Sequence, residues 1–340
     1  MKDVWVAGDV IVSPLGKTSE ENFSKLSRGI SGLNSFHDDQ LSASPIVAGK
    51  ISDVPITSSL TRFETLCVDA LTNIVGQLSF PPEKTVLILS TTKGNHLVIS
   101  NACISGVVAL MTAARFLRAG LYDHAVVLGA DALSRFVVSG FQSLAALSDE
   151  PCKPFDANRK GINLGEAAAA MLLTSKPETL GVRSTIKILG GGLTNDANHI
   201  SGPSRTGEEL AMAIGRALSE SDISASSVDF ISAHGTATLY NDEMEAKAFH
   251  WSGLDQTPLN SLKGYFGHTL GAAGVVESVV SIYALKNNML IPTLGFEAPG
   301  VSKPVHVITK QEIKPMTTCL KTASGFGGCN AALVFQKTNT

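Results

Sequence analysis

Short apolar strands alternate with amphipathic helices along this 340-residue chain, and the alternation runs through twice. The first half reads VWVAGDVIV, a helix over 60–78, TVLILS, a helix after residue 104, HAVVLGADAL and AAAAMLLTS. The second reads TIKILGGG, GEELAMAIGRALSES, VDFISA, PLNSLKG, GVVESVVSIYALKNN, HVITK and NAALVFQKT. In the helices apolar residues recur at the helical period, as at Phe63, Leu66, Cys67, Ala70, Leu71 and Ile74, or at Leu210, Ala213, Ile214, Ala217 and Leu218. HAVVLGADAL and AAAAMLLTS are apolar almost throughout, which suits burial on both faces between helix layers. Each half closes on a strand of small residues, AAAAMLL or NAALVF. The order predicts a duplicated α/β unit, an N-terminal half over 1–178 and a C-terminal half over 179–340, sharing a buried layer of helices.

Residues 4–16 predict a β-hairpin or a strand and loop, Ser19-Glu20-Glu21 opens a helix through Leu26, and 29–60 read as loop with short strands. One junction breaks the rhythm. In TTKGNHLVISNAC one strand ends and the next arrives almost at once, whereas parallel strands need a crossover of about a dozen residues. The junction between Asn95 and His96 stands as an anomaly of the rhythm.

Charged residues make up 17% of the chain and hydrophobic ones 44%, a composition for packed cores rather than disorder. A net charge of −3 with no basic cluster argues against nucleic acid as a partner. No apolar run reaches the roughly 18 residues of a membrane span. Five cysteines, at 67, 103, 152, 319 and 329, pair in no disulfide or zinc spacing, and no basic-then-apolar leader opens the chain, so a reducing cytoplasm is the expected setting.

Unusual polar residues gather at strand ends, where α/β proteins build their sites. Cys103, in SNACISG, stands where a strand gives way to the helix SGVVALMTAARFLRAG, and a helix N-terminus favours thiolate over thiol. Cys103 is the predicted nucleophile. His234 follows VDFISA and is succeeded by Thr236 and Thr238; Lys263 and His268 bracket the loop in NSLKGYFGHTLGAAG; SGFGGCN, 324–330, offers backbone N–H groups for an anion. From the residues alone two chemistries fit, acyl-thioester transfer and Cys/His hydrolysis.

Five blocks, NACISG, KPFDANRKGINLGE, SAHGTATLYNDEMEAKAF, SLKGYFGHTLGAAGVVES and SGFGGCNAALVF, resemble in order and spacing the signatures of β-ketoacyl-acyl-carrier-protein synthases, condensing enzymes of the thiolase fold. The resemblance runs from about Val4 to Phe335. It implies a thiolase-like α/β fold, duplicated half-domains in five α-β-α-β-α layers. It also implies a decarboxylative Claisen condensation of a malonyl-carrier with an acyl group held on Cys103, in fatty acid, polyene or polyketide biosynthesis. His234 and His268 resemble the histidines that bind the malonyl thioester carbonyl; the N–H groups of Cys103 and Phe326 resemble the oxyanion hole. Lys263 resembles the family lysine and Glu277 its carboxylate partner, either a structural ion pair or a proton-transfer pair. Asp242 and Glu245 resemble structural supports, and Thr236 and Thr238 the threonines that contact the carrier's pantetheine arm.

The same resemblance implies no metal or nucleotide cofactor, the phosphopantetheine arm arriving on the acyl carrier protein. Malonyl and acyl thioesters are the implied substrates, and a homodimer, or a heterodimer with a related synthase subunit, the implied assembly, with no membrane partner.

The sequence departs from the family at Ser324, where relatives carry a phenylalanine gate, and at Ile104, bulkier than the usual neighbour of the nucleophile and so expected to narrow the acyl pocket. Cys329 stands where threonine is usual. Two other readings stay open: a catalytically silent, chain-length-setting partner subunit, against which Cys103 and both histidines argue, and a thiolase or Cys/His hydrolase, which Cys329 keeps in view.

Overall fold

The strand Ala167–Thr174 is buried along its whole length, and its run of alanines lets helices close on both of its faces. The computed structural model describes residues 2–54, 59–78, 80–90 and 97–338. Among them eleven strands join in one sheet: β1 (Val4–Val12), β2 (Thr85–Ser90), β3 (Val98–Ile99), β4 (His124–Asp131), β5 (Ala167–Thr174), β6 (Ile186–Asn195), β7 (Phe230–Ser232), β8 (Pro258–Asn260), β9 (His306–Val307), β10 (Thr318–Gly325) and β11 (Cys329–Lys337). Their order is β9-β8-β7-β10-β11-β6-β1-β5-β4-β2-β3.

The duplication is explicit in the pairing. From β1 outward, β5 and β4 follow antiparallel, then β2 and β3 parallel; from β6 outward, β11 and β10 follow antiparallel, then β7 and β8 parallel. The two leading strands, β1 and β6, pair antiparallel through Val4 opposite Ile188 and Trp5 opposite Lys187, which makes the two half-sheets continuous.

Among the described residues eight α-helices complete the architecture: α1 (Ser19–Ser27), α2 (Arg62–Gln77), α3 (Ser105–Arg118), α4 (Arg135–Ser143), α5 (Glu208–Glu220), α6 (Leu239–Trp251), α7 (Lys263–Phe266) and α8 (Ala273–Asn287). α3 and α8 touch each other and strands of both half-sheets, and almost every residue of α8 is buried, so they form the middle layer. α2 covers the outer face of β1, β5 and β4; α5 and α6 pack together outside β6 and β11. The layers thus run helix, sheet, helix, sheet, helix, and polar residues at the strand ends converge beside the middle helices.

The Asn95–His96 junction lies outside the described residues. On either side of it β2 and β3 are parallel neighbours, Leu89 opposite Val98 and Ser90 opposite Ile99, although the connection is shorter than a usual crossover. Residues 4–16 form one strand and a turn rather than a hairpin, and α4 and β10 are elements that periodicity did not reveal. No helix among the described residues is long and apolar enough to cross a membrane.

Candidate active site

The turn between β3 and α3 presents Cys103. Ala102, just before it, takes a left-handed φ of 45°, a conformation that costs a non-glycine residue roughly 1–3 kcal/mol and needs support. Ser105 supplies it, its hydroxyl accepting from Asn101 N–H (2.8 Å) and donating to Ala102 O (2.6 Å). Cys103 is 8% exposed, with the Phe326 N–H directed at its sulfur.

The expected thiolate is not the resting state. α3 begins at Ser105, two residues on, and burial pushes the Cys103 thiol up to about 12 against the pull of Lys263 and the Phe326 N–H.

His234 is held by its backbone. Glu245 accepts from His234 N–H (2.8 Å) and Gly235 N–H (2.6 Å), and Asp242 accepts from Thr236 N–H (3.0 Å) and Phe155 N–H (2.7 Å). Both carboxylates project from the first turns of α6, whose N-cap is Thr238, so one helix end grips three successive N–H groups of the histidine loop. Burial pushes Asp242 up to about 7 and Glu245 upward, against these N–H donors. Both act as supports, and Thr236 and Thr238 bond to each other at 2.9 Å.

His268 follows α7. Its N–H donates to Asn163 O (2.7 Å) and its carbonyl accepts from Gly165 N–H (3.0 Å). Gly267, at φ 72°, lets the chain pass, because a Cβ there would stand 2.4 Å from Leu164 O. The His234 and His268 rings meet edge to face, centroids 5.1 Å apart. Burial, then the charge of Lys263, drives both well below the usual imidazole value and keeps them neutral.

Beneath the histidines lies a buried ion cluster. Lys263 bonds one oxygen of Glu277 and His234 O (3.0 Å); Lys321 on β10 stands 2.8 Å from the other oxygen. Lys321 was not singled out from the sequence; a lone lysine in the small, apolar run TCLKTASG was the available signal.

The sulfur of Cys103 and one ring nitrogen each of His234 and His268 lie within 4.8 Å of one another. His234 Nδ1 and both nitrogens of His268 are buried without a protein hydrogen-bond partner. Cys, His and His form a donor set for a soft divalent cation, but the ammonium groups of Lys263 and Lys321 oppose a further positive charge there. The triad forms the floor of a cavity of about 440 Å³, whose walls include Thr236, Thr238, Ser324 and Phe326 and whose rim includes Leu144, Leu239 and Tyr240. Asp196, His199 and Lys160 also line it.

The two departures fall differently. Ser324 lines the cavity, but its hydroxyl is bonded to Asn330 Oδ1 at 2.8 Å, while Phe326 and Phe141 of α4, stacked at 5.5 Å, bring aromatic rings to the wall. Ile104 is not brought to the cavity; it is fully buried in the core with Val107 and Leu110.

Residues 86–179 match the Beta-ketoacyl synthase, N-terminal domain model and residues 186–297 the Beta-ketoacyl synthase, C-terminal domain model. The chain is 34% identical to a 3-oxoacyl-[acyl-carrier-protein] synthase 2 of Rhizobium meliloti, over 72% of this chain and 61% of that one. It is 33% identical to the protein of the same name from Vibrio cholerae, over 72% of this chain and 63% of that one. The matches thus span less than two thirds of these relatives' length. In fold it is similar to a Beta-ketoacyl synthase from Burkholderia phymatum (TM-score 0.89, 22% identity, all of both chains). It is also similar to a ketosynthase solved with its chain length factor from Xenorhabdus doucetiae (TM-score 0.88, 24% identity, 99% of this chain and 98% of that one).

Proposed function

The chain belongs to the β-ketoacyl synthase family, and on that premise we propose that it is a 3-oxoacyl-acyl-carrier-protein synthase, an acyltransferase of fatty acid or polyketide biosynthesis. The observation that carries the reading is the buried triad of Cys103, His234 and His268, with ring nitrogens left free of protein partners at the floor of one cavity.

The chemistry runs in two halves. First the Cys103 sulfur attacks an acyl thioester, the acyl–sulfur bond to the carrier breaks, and the carrier leaves as free thiol with the proton that Cys103 gives up. A malonyl-carrier then loses CO2: the bond to the carboxylate breaks and its electron pair becomes an enolate, whose oxygen accepts hydrogen bonds from neutral His234 and His268. The enolate carbon attacks the Cys103 thioester carbonyl. The N–H groups of Cys103 and Phe326 receive the oxyanion, a donor pair of which each member is typically worth about 3–4 kcal/mol. Collapse releases the 3-oxoacyl-carrier and the Cys103 sulfur as thiolate, which takes a proton from solvent to replace the one that left with the first carrier. Thr236 and Thr238 sit on the cavity wall where a pantetheine arm would pass.

The partner of this reading is an acyl carrier protein at the rim formed by Leu239 and Tyr240, and no cofactor beyond the arm it brings. Leu87 and Leu97, exposed beside the two-residue edge strand β3, support a second synthase-like subunit there, a homodimer or a heterodimer.

Intact mass after incubation with an acyl-loaded carrier tests the reading. A thioester adduct on the wild type and none on Cys103→Ala is expected, followed by CO2 release from malonyl-carrier. Absence of any adduct across acyl lengths would overturn it in favour of a silent partner subunit.

A further inference from the structure

Lys321 is fully buried at the centre of β10, and everything around its ammonium accepts: Glu277 Oε2 at 2.8 Å, Thr322 O at 2.7 Å, Ser232 O at 3.1 Å and Ala233 O at 3.4 Å. Burial draws the Lys321 ammonium below the usual lysine value and Glu277 opposes that shift; with only acceptor oxygens around it, the charged form is the one these contacts satisfy. Lys263 takes the next carbonyl, His234 O. Two ammonium groups sharing one carboxylate thereby hold three consecutive carbonyls leading into the histidine.

The charge count follows. Lys263 and Glu277 alone form a neutral pair; Lys321 adds a second ammonium beside Glu277, with Glu245 as the next carboxyl group acting on it. Burial pushes the Glu277 carboxyl up, but the two lysines outweigh it and keep it ionised below its usual range. The other titratable groups facing the rings are Cys103 and, behind the loop, Glu245 and Asp242. Asp131 holds the Gly271 N–H on the His268 side.

We propose that Lys321 is a positioning residue for decarboxylation: as the second ammonium beneath His234 and His268 it keeps both rings in the neutral, hydrogen-bond-donating form and draws the charge leaving the malonyl carboxylate onto the thioester oxygen. This rests on the condensing-enzyme reading. When the bond to CO2 breaks, negative charge moves from the carboxylate to an oxygen between the rings, toward a cation fixed behind them; the field is preorganised and needs no proton from Lys321.

Lys321→Met and Lys321→Arg decide it. In the methionine variant the imidazole titration, followed by NMR of labelled histidine, moves upward, and kcat for CO2 release from malonyl-carrier falls about 10- to 100-fold, less than or at the low edge of removing a direct oxyanion donor. Acylation of Cys103 stays within about twofold, since that half-reaction places no charge between the rings. The arginine variant recovers the wild-type titration. An unmoved titration in Lys321→Met, or equal losses in acylation and decarboxylation, would overturn the inference and leave Lys321 a structural ion. Where Lys321→Met does not fold, Lys321→Gln is read the same way. Wild-type protein without CO2 release would sink the reading of the reaction, while the histidine titration still judges the role of Lys321.

Discussion

Gly106 and Gly274 face each other where α3 and α8 cross, so closely that a methyl group on Gly274 would stand 2.4 Å from Val107 N and one on Gly106 2.7 Å from Val275 N. This contact sets the distance between the helix after Cys103 and the helix that carries Glu277. Gly274→Ala has no flexible neighbour to displace and must push the helices apart. It is expected to cost about 1–3 kcal/mol by overpacking. Calorimetry should show the transition lowered by several degrees, and acylation of Cys103 should slow with it. An unchanged transition would mean that the crossing is more yielding than its geometry indicates.

Ser105 is the support of the strained turn. Its hydroxyl joins Asn101 N–H to Ala102 O and holds Ala102 at positive φ. Ser105→Ala removes both bonds from a buried position, at about 1–3 kcal/mol. The relaxed turn should retract the Cys103 sulfur from the Phe326 N–H, lowering the acylation rate about tenfold while KM for the carrier holds. A KM effect alone would put Ser105 outside the positioning of the sulfur.

The titration behaviour is reversed from what helix geometry suggested. With the thiol pushed up to about 12, alkylation of Cys103 by a neutral reagent should rise about tenfold per pH unit through the usual cysteine range, with no plateau near 8.5. Both histidines are depressed, so the donor form persists on acidification and the acid limb of the condensation rate lies below the ordinary imidazole value of about 6.5. The linkage has the same sign. Below about 6.5 the unfolded chain takes up protons that the buried rings refuse, so the stability contributed by these neutral rings is present above that pH and is lost as pH falls. A plateau in alkylation near 8.5 would show a thiol open to water.

These contrasts mark what the sequence carried. The duplicated order of strands and helices, and Cys103, His234 and His268 at strand ends, were legible because they depend on local period and on neighbours a few residues away. Lys321 was not: its partners Glu277, Ser232 and Ala233 lie far off in the chain, and the run TCLKTASG, read before a glycine turn, has no alternation to announce a strand. α4 was hidden for a different reason. RFVVSGFQS joins two valines to a mid-helix glycine, poor helix formers that are held by the Ser134 cap and by packing. The burial that pushes the Cys103 thiol up was not legible either, because desolvation depends on everything folded over the sulfur.

The stack of Phe141 on Phe326 gives α4 a part in the chemistry. The rings lie 5.5 Å apart at 21°, and Phe326 is the residue whose N–H points at Cys103. Phe326 is 38% exposed on the cavity wall, and the Phe141 stack orders its ring, while the turn around its backbone N–H is anchored by Gly327 N–H donating to Ile200 O at 2.8 Å and by Gly325 paired with Cys329. An aromatic pair contributes about 0.5–1.5 kcal/mol beyond area burial. Phe141→Ala should therefore slow the steps that place an oxyanion at Cys103, acylation and condensation alike, by about two- to tenfold, while CO2 release between the histidines is left unchanged. Phe141→Leu, which keeps apolar bulk without the stack, should fall between the two. If Phe141→Ala lowered only CO2 release, the stack would belong to the histidine side of the cavity and the Phe326 N–H would be fixed by its own loop.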